Sequence, residues 1–575
     1  MDIASSVKRA SFRQSPSARK PEDATAIPPD AIDLSQLPSD AKRVRPIEST
    51  FESMDLKATA LERPLLLVHG LAQHADTFAA YKNHLVTEPQ NRWGGVYNVD
   101  KEEEFLSKKD PEAKLFAVDI SDNLAAPRVV ANEIRRAITA IMEKTGAESV
   151  DVVTHSMGAL VTREAIRQGE DGIANLAMIS PPNHGSYEAT AATFLGDSRV
   201  YQHYPAAKLG AMDALRLEFG ALGGVSNEWL HGLNNFWDQD EDRPRAAVIT
   251  GIGIPTPDAS ATATSPGDGM VAARRAPLKG AEFHLAVPNK LPPGDPNFRD
   301  FQEFRYNHLQ IVSEPEIWRT TAEFLKEGSD KVGTNQSFDE AVKQAEASNR
   351  EIRKTVDSAE EVRLSHHNKQ KLATRLAVAG AATAALGLAA NSVPILGPAL
   401  MVGGTLTLGA GAIYGVRSAE NLGRDSREAV NSAEEALNLA DSLLHRYQRK
   451  GREETLQELS NSDISETMDK TRSQRTSLVE ADYERRYRQR WQSRGMHIAS
   501  IGAAVGAAGL LGQAFAPSIF GQIGMVAGGL TLLSGSAISI AHSGKLGTTS
   551  GEASTMASSA VDLADEVVAG FKAAN

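Results

Sequence analysis

The sequence predicts an α/β fold, a doubly wound and mostly parallel sheet, followed by an all-α C-terminal region. Three observations predict it. Between residues 64 and 326, short β-branched and leucine-rich runs alternate with helical patterns, the rhythm of a parallel sheet wrapped by helices. Val150, Val152 and Val153 run into a tight segment, Thr154-His155-Ser156-Met157-Gly158, and a helical pattern begins there. Beyond residue 330 strand-like runs cease, and long charged helical stretches flank two uncharged runs rich in Ala and Gly.

A chain of 575 residues suggests two to four domains. Its formal net charge of −12 disfavours nucleic acid as a partner. The absence of cysteine excludes disulfides, thiol catalysis and cysteine-based zinc sites, and nothing else in the sequence asks for a metal or a cofactor. Residues 1–55 are rich in Ser, Pro, Ala and charge, and read as a disordered leader. Lys8, Arg9 and Arg13 are not followed by an apolar run, so a secretory signal is not expected. The leader is similar to those of bacterial type III secretion substrates, and equally to any unstructured N-terminus.

The sheet unit is expected over residues 56–330. Residues 64–68 form its first strand, and residues 88–112, polar and containing Trp93-Gly94-Gly95, read as an excursion. Leu115–Ile120 is the next strand. Pro127 opens a helix with Val130, Ile134, Ile138 and Ile141 on one face, and Gly146 ends it. The strand before Ser156 follows. Residues 187–243 break the rhythm with Tyr201, Tyr204, Leu215, Phe219, Trp229, Phe236 and Trp237, as a cap or as an insertion packing its own aromatics. Residues 246–254 and 282–287 are further strands. Ser313-Glu-Pro-Glu316 has the form of a capping box, ahead of a helix with Ile317, Trp318 and Phe324.

Strand, sharp turn and helix with one serine at the apex is a nucleophile elbow. Such a turn exposes the serine Oγ, and the helix behind it offers unpaired N–H groups to a developing oxyanion. Thr154 stands where the G-x-S-x-G pattern has its first glycine, a crowded place that Thr fits less well. Upstream, Arg63–Leu71 is a buried run ending in His69-Gly70-Leu71, and downstream Ile179-Ser-Pro-Pro-Asn-His-Gly-Ser186 closes the strand after the elbow helix. Together these stretches resemble the lipase branch of the α/β-hydrolases over about residues 60–330, nearest the triacylglycerol lipases and the GPI inositol-deacylase-like lipases.

The resemblance implies roles. Ser156 would be the nucleophile, and the backbone N–H groups of Leu71 and Met157 the oxyanion hole. Asp268, in Gly267-Asp-Gly-Met-Val271, matches the segment that presents the acid, with Asp258 as competitor and a turn or cation-binding role as the plainer alternative. The fold orders nucleophile, acid and base along the chain, which leaves His284 and His308 for the base. His284 sits in an alternating strand pattern, while His308 lies in a loop just before the last helix, so His308 is expected. His74 and Asp76 read as polar loop residues near the oxyanion site.

The C-terminal region is an internal duplication. Met401–Leu408 matches Met525–Leu532, and Leu439-Ala-Asp441 matches Leu563-Ala-Asp565, both at an offset of 124. The repeats span residues 335–450 and 451–575, with uncharged runs at 376–416 and 498–541 broken by Pro394, Pro398 and Pro517. Each run suits a helical hairpin whose arms reach the length of a bilayer core, with basic flanks such as Arg375, Arg417, Arg485 and Arg494 favouring the cytosolic side. Gly403, Gly404, Gly528 and Gly529 would let the arms approach closely. The alternative is the buried core of a helical bundle in which the repeats cover each other.

The expected function is that of a serine lipase or phospholipase acting on membrane lipids through an acyl-enzyme, anchored by its hairpins as transmembrane helices. Its partners are then a lipid or acyl-ester substrate and a membrane, and a secreted effector is one setting for it. The alternative is a membrane-inserting, pore-forming or remodelling protein whose hydrolase unit does not catalyse.

Overall fold

The computed structural model describes residues 44–48, 57–190, 214–220, 223–252, 254–258, 264–287, 306–326, 338–389, 396–448, 461–515 and 519–574. Eight strands form one sheet: β1 (Val44–Glu48), β2 (Leu65–Val68), β3 (Arg92–Tyr97), β4 (Ala113–Val118), β5 (Val150–His155), β6 (Ile173–Ile179), β9 (Arg245–Gly251) and β12 (Glu282–Val287). Their order is β1-β12-β9-β6-β5-β2-β4-β3, and every neighbouring pair is parallel. This is the α/β-hydrolase architecture. Two antiparallel ribbons lie outside the sheet, β7 (Leu217–Gly220) with β8 (Gly223–Ser226), and β10 (Ile254–Pro257) with β11 (Thr264–Gly267).

Parallel strands buried on both faces read as continuous apolar runs, and successive side chains go to opposite faces. Leu66, Val68 and Val152 join one core with Leu160 of the elbow helix and with Val130, Ile134 and Ile138. Leu65, Leu67 and Val153 join the other, with Phe78, Tyr81, Ile317 and Phe324. The helices are α1 (Ala79–Leu85), α2 (Glu102–Leu106), α3 (Pro127–Thr145), α4 (Met157–Arg167), α5 (Glu228–Gln239) and α6 (Pro315–Lys326). Pro127 stands at the N-terminus of α3, and Gly146 closes it at φ 74°.

Two expectations change here. Residues 92–97, read as part of an excursion, form edge strand β3. Gly94 belongs there because a Cβ would lie 2.1 Å from the ring of Phe116 on β4. Within the expected leader, residues 44–48 form β1 against β12, so the sheet reaches back to Val44. The rest of that leader lies outside the described residues, as do residues 191–213 of the expected cap with Tyr201 and Tyr204.

The C-terminal region is two helical hairpins, α7 (Phe338–Ala389) with α8 (Leu396–Arg446), and α9 (Asn461–Phe515) with α10 (Ile519–Ala574). Helix α9 begins 123 residues after α7, and α10 begins 123 residues after α8. Equivalent residues of the repeats meet: the Ser426 hydroxyl is 3.5 Å from the Ser550 carbonyl, Leu422 packs on Leu546, and the rings of Tyr447 and Phe571 are 5.2 Å apart. In step with these contacts, Ala429, Ala433, Ala436, Ala440 and Leu443 are buried on α8, and Ala553, Ala557, Ala560, Ala564 and Val567 on α10. Alternating steps of four and three make this a heptad seam, with small residues bringing the helices close.

Within each hairpin the helices also approach closely, and a Cβ on Gly404 would lie 2.2 Å from the backbone of Ala384. Among the described residues, no helix is long and apolar enough to cross a membrane, so the expectation of transmembrane hairpins finds no support there. The reason is composition: Ala and Gly contribute little transfer free energy per residue, and Ser and Thr are interspersed.

The bundle docks on the polar face of α3. Arg128, Asn132, Glu133, Arg135, Arg136 and Thr139 are all buried. Arg128 pairs with Glu434 at 2.8 Å and Asp482 at 3.4 Å, and Arg136 with Asp469 at 2.5 Å. Glu133 pairs with Arg472, and Thr139 bonds His445 at 3.1 Å. The helix is thus enclosed by the sheet on one side and by α8 and α9 on the other.

Candidate active site

Ligands of open parallel sheets bind at the carboxyl ends of the strands, and the residues singled out in the sequence collect there. Ser156 follows β5 directly. Its φ of 53° and ψ of −126° hold a non-glycine residue in a sparsely populated region, the strain of a sharp elbow. The turn needs Gly158, where a Cβ would lie 2.5 Å from the carbonyl oxygen of His69. Thr154 causes no conflict: it is fully buried in β5, its hydroxyl 3.4 Å from the carbonyl of Ala177 on β6.

His308 lies in the loop before α6. Its Nε2 is 2.8 Å from Ser156 Oγ and its Nδ1 is 2.9 Å from Asp268 Oδ2. The Ser156 hydroxyl donates to Nε2, and Nδ1–H donates to the carboxylate. Asp268 follows the β10–β11 ribbon and is almost wholly buried. Its other oxygen accepts from the N–H groups of Met270 (3.0 Å) and Val271 (2.8 Å). Burial opposes its ionisation, but His308 and these N–H groups outweigh burial and hold its pKa below the usual carboxylate value. The backbone fixes the same pair, since His308 N–H donates to the Asp268 carbonyl at 2.9 Å.

The competitors are placed elsewhere. Asp258 is ion-paired with Arg274 and Arg275 and accepts from Ser265 at 2.8 Å. His284 is a strand residue of β12, 3.6 Å from Glu282. His74 is exposed and 3.5 Å from Asp119.

His69-Gly70-Leu71 lies beside the elbow. Nε2 of His69 accepts the N–H of Ile120 at 3.2 Å, so Nδ1–H donates to the carbonyl of Gly70 at 2.9 Å. Burial lowers its pKa and keeps it neutral. Gly70 touches the elbow so closely that a Cβ would lie 2.8 Å from Ser156 Cβ. Met157 is the first residue of α4, where N–H groups have no intrahelical acceptor. Gly70, just before Leu71, and Met157 thus both border the serine.

Two further residues organise the site. The Gln73 side-chain oxygen accepts from Gly70 N–H at 2.9 Å and also lies 2.8 Å from His155 Nδ1. His155 Nε2–H donates to the backbone carbonyl of His308 at 2.7 Å. Burial first, and the neighbouring His308 next, push the His155 pKa down to about 3, so it is a neutral strut. Gln73 and His155 thus join the His69–Leu71 loop to the loop of His308. Neither residue type at its position signals this in the sequence, because the link depends on two distant loops meeting.

The described part of the expected cap packs inward. Trp237 of α5 is buried, its N–H donating to the carbonyl of Lys279 at 3.0 Å, with Arg163 of α4 over its ring at 5.4 Å. Among the described residues, no group of three or more His, Asp or Glu side chains is placed to hold a metal ion.

Comparison with known proteins concerns the N-terminal half of the chain. The family "Lipase (class 2)" matches residues 62–196, less than a quarter of the chain, taking in β2, the His69-Gly70 loop and the elbow. Similar solved structures include Aspergillus fumigatus lipase B, 16% identical over 46% of this chain and 53% of that one, with a TM-score of 0.26. The match thus spans about half of the Aspergillus chain. A gene product of Listeria innocua is 15% identical over 48% of this chain and 96% of its own, with a TM-score of 0.28. A metagenomic carboxyl esterase is 14% identical over 48% and 80%, with a TM-score of 0.27. The N-terminal half of this chain thus has the α/β-hydrolase fold, and over residues 62–196 it is similar to the class 2 lipases.

Proposed function

We propose that the protein is a serine hydrolase of carboxylic esters that works through an acyl-enzyme. The observation that carries this reading is the chain of hydrogen bonds from Asp268 through His308 to Ser156, at 2.9 and 2.8 Å. In the first step Ser156 Oγ attacks the ester carbonyl carbon while its proton passes to His308 Nε2. Asp268 holds the imidazole tautomer and stabilises the imidazolium. The N–H groups of Leu71 and Met157 receive the oxyanion, and losing one such donor typically costs about 3 kcal/mol in the transition state. The C–O bond breaks, and the leaving alcohol takes its proton from His308. Water, deprotonated by His308, then cleaves the acyl-serine and releases the acid. The match to lipases supports a lipid-derived acyl ester as the substrate class.

The test is hydrolysis of dissolved short-chain esters and of emulsified glycerides and phospholipids. Ser156→Ala and His308→Ala should each lower kcat by about 10⁴-fold or more, and Asp268→Asn by about 10⁴-fold. Hydrolysis that persists undiminished in Ser156→Ala would remove the serine from the mechanism.

A further inference from the structure

A cavity of about 700 Å³ lies between the hydrolase unit and the helical bundle, walled by α4 and α5 on one side and by α8 and α9 on the other. It is separate from the candidate active site. Ser156 precedes the first residue of α4 and Arg167 is the last, so the two ends lie roughly 15 Å apart along the helix.

The charge of the cavity opposes that of the chain. Seven arginines and four carboxylates line it, in a protein of formal net charge −12. The carboxylates are shared rather than matched one to one. Asp482 alone serves Arg128 at 3.4 Å, Arg485 at 2.5 Å and Arg486 at 3.0 Å. Glu434 also pairs with Arg128, Glu228 with Arg427, and Glu164, behind the lining, with Arg167 at 2.8 Å.

A second observation is independent of charge. Two donors on the hydrolase wall are buried without a hydrogen-bond partner among the described residues, the indole N–H of Trp229 and the Nε–H of Arg167. Buried donors are ordinarily satisfied, and leaving them open is costly. The half-buried rings of Trp229 and Phe236 add an apolar wall beside them.

Excess guanidinium charge, open donors and an aromatic wall select an anion rich in oxygen acceptors, and guanidinium forks match phosphate geometry. The volume exceeds that of a single inorganic phosphate. We propose that this cavity binds a multiply phosphorylated small molecule or headgroup, held by Arg167 and Trp229 from the hydrolase unit and by arginines of α8 and α9 from the bundle. Occupancy bridges the two units and strengthens their docking.

Titration calorimetry on the full chain tests this, with inorganic pyrophosphate and inositol hexakisphosphate as soluble probes. Phosphatidylcholine vesicles with and without phosphatidylinositol bisphosphate form the second arm. The expected result is saturable binding that weakens with salt and falls by about tenfold or more in Trp229→Phe and in Arg167→Gln. Both variants should retain wild-type ester hydrolysis, and Trp229→Phe should also retain wild-type melting without ligand, which separates lost binding from lost folding; Arg167→Gln also removes the ion pair with Glu164. Binding of the soluble probes identifies a free phosphorylated metabolite, and binding confined to phosphoinositide vesicles identifies a lipid headgroup. No saturable binding in either arm, or binding unchanged in both variants, would overturn the proposal.

Discussion

At the scale of single residues, the site depends on close approach. Gly70 has no room for a side chain against Ser156, at a distance of 2.8 Å from the added Cβ. Gly70→Ala should displace the His69–Leu71 loop and lower kcat/KM for a dissolved ester by about 100-fold. Melting close to wild type would place the effect in the site; unchanged kinetics would show that the loop is not used. His155 makes a different prediction. Its folded pKa of about 3 lies below the ordinary histidine value of about 6.5. As pH falls through that window the unfolded chain gains a proton that the folded chain refuses, so stability declines with acidification. His155→Gln should flatten the acid limb of a plot of melting temperature against pH. An equally steep limb would assign it to other groups. Ser156, Asp268 and His308 were legible in the sequence because an elbow has a local pattern and the fold fixes the chain order of its partners. Gln73 and His155 were not, since a glutamine in a loop and a histidine beside a serine carry no local pattern.

At the scale of elements, α3 shows where periodicity stops informing. Its apolar stripe of Val130, Ile134 and Ile138 was readable and packs on the sheet. Its opposite face, with Arg128, Glu133 and Arg136, has the composition of a solvated face but is buried under the bundle. A pattern of charges cannot distinguish water from a charged partner. Asp482 is the centre of that contact. Burial opposes its ionisation, yet Arg485, Arg486 and Arg128 outweigh burial and hold its pKa well below the usual carboxylate range. Its contribution is therefore fully present above a pH of about 4 and is lost as pH falls toward the folded value. Asp482→Asn should cost about 3 kcal/mol, because it leaves buried arginines without their counter-charge. Chemical denaturation at neutral pH checks this; a change under about 0.5 kcal/mol would class the pair with surface ion pairs. The α8–α10 seam makes a packing prediction. Ala440→Leu forces a large side chain between close helices at a fully buried position, and should destabilise by about 1–3 kcal/mol. Melting unchanged from wild type would mean that the seam is loosely packed.

At the scale of the whole molecule, the duplication was legible because one offset of 124 recurs across the C-terminal region. How the repeats lie against each other was not. Ala/Gly-rich arms satisfy the length of a membrane span without its apolarity, and among the described residues no helix reaches it. The heptad seam was obscured because Ala and Ser fill many of its positions in place of large apolar residues. The result is a hydrolase unit clamped through α3 to a four-helix bundle, with the elbow at the carboxyl end of the central strand β5. The central claim of this account is that Ser156 is the nucleophile. Its most direct test is reaction of the full chain with a fluorophosphonate, followed by mass spectrometry of the modified peptide. The account predicts a single adduct on Ser156, lost in Ser156→Ala and strongly slowed in His308→Ala. An adduct on another residue, or no adduct under conditions where ester hydrolysis proceeds, would contradict it.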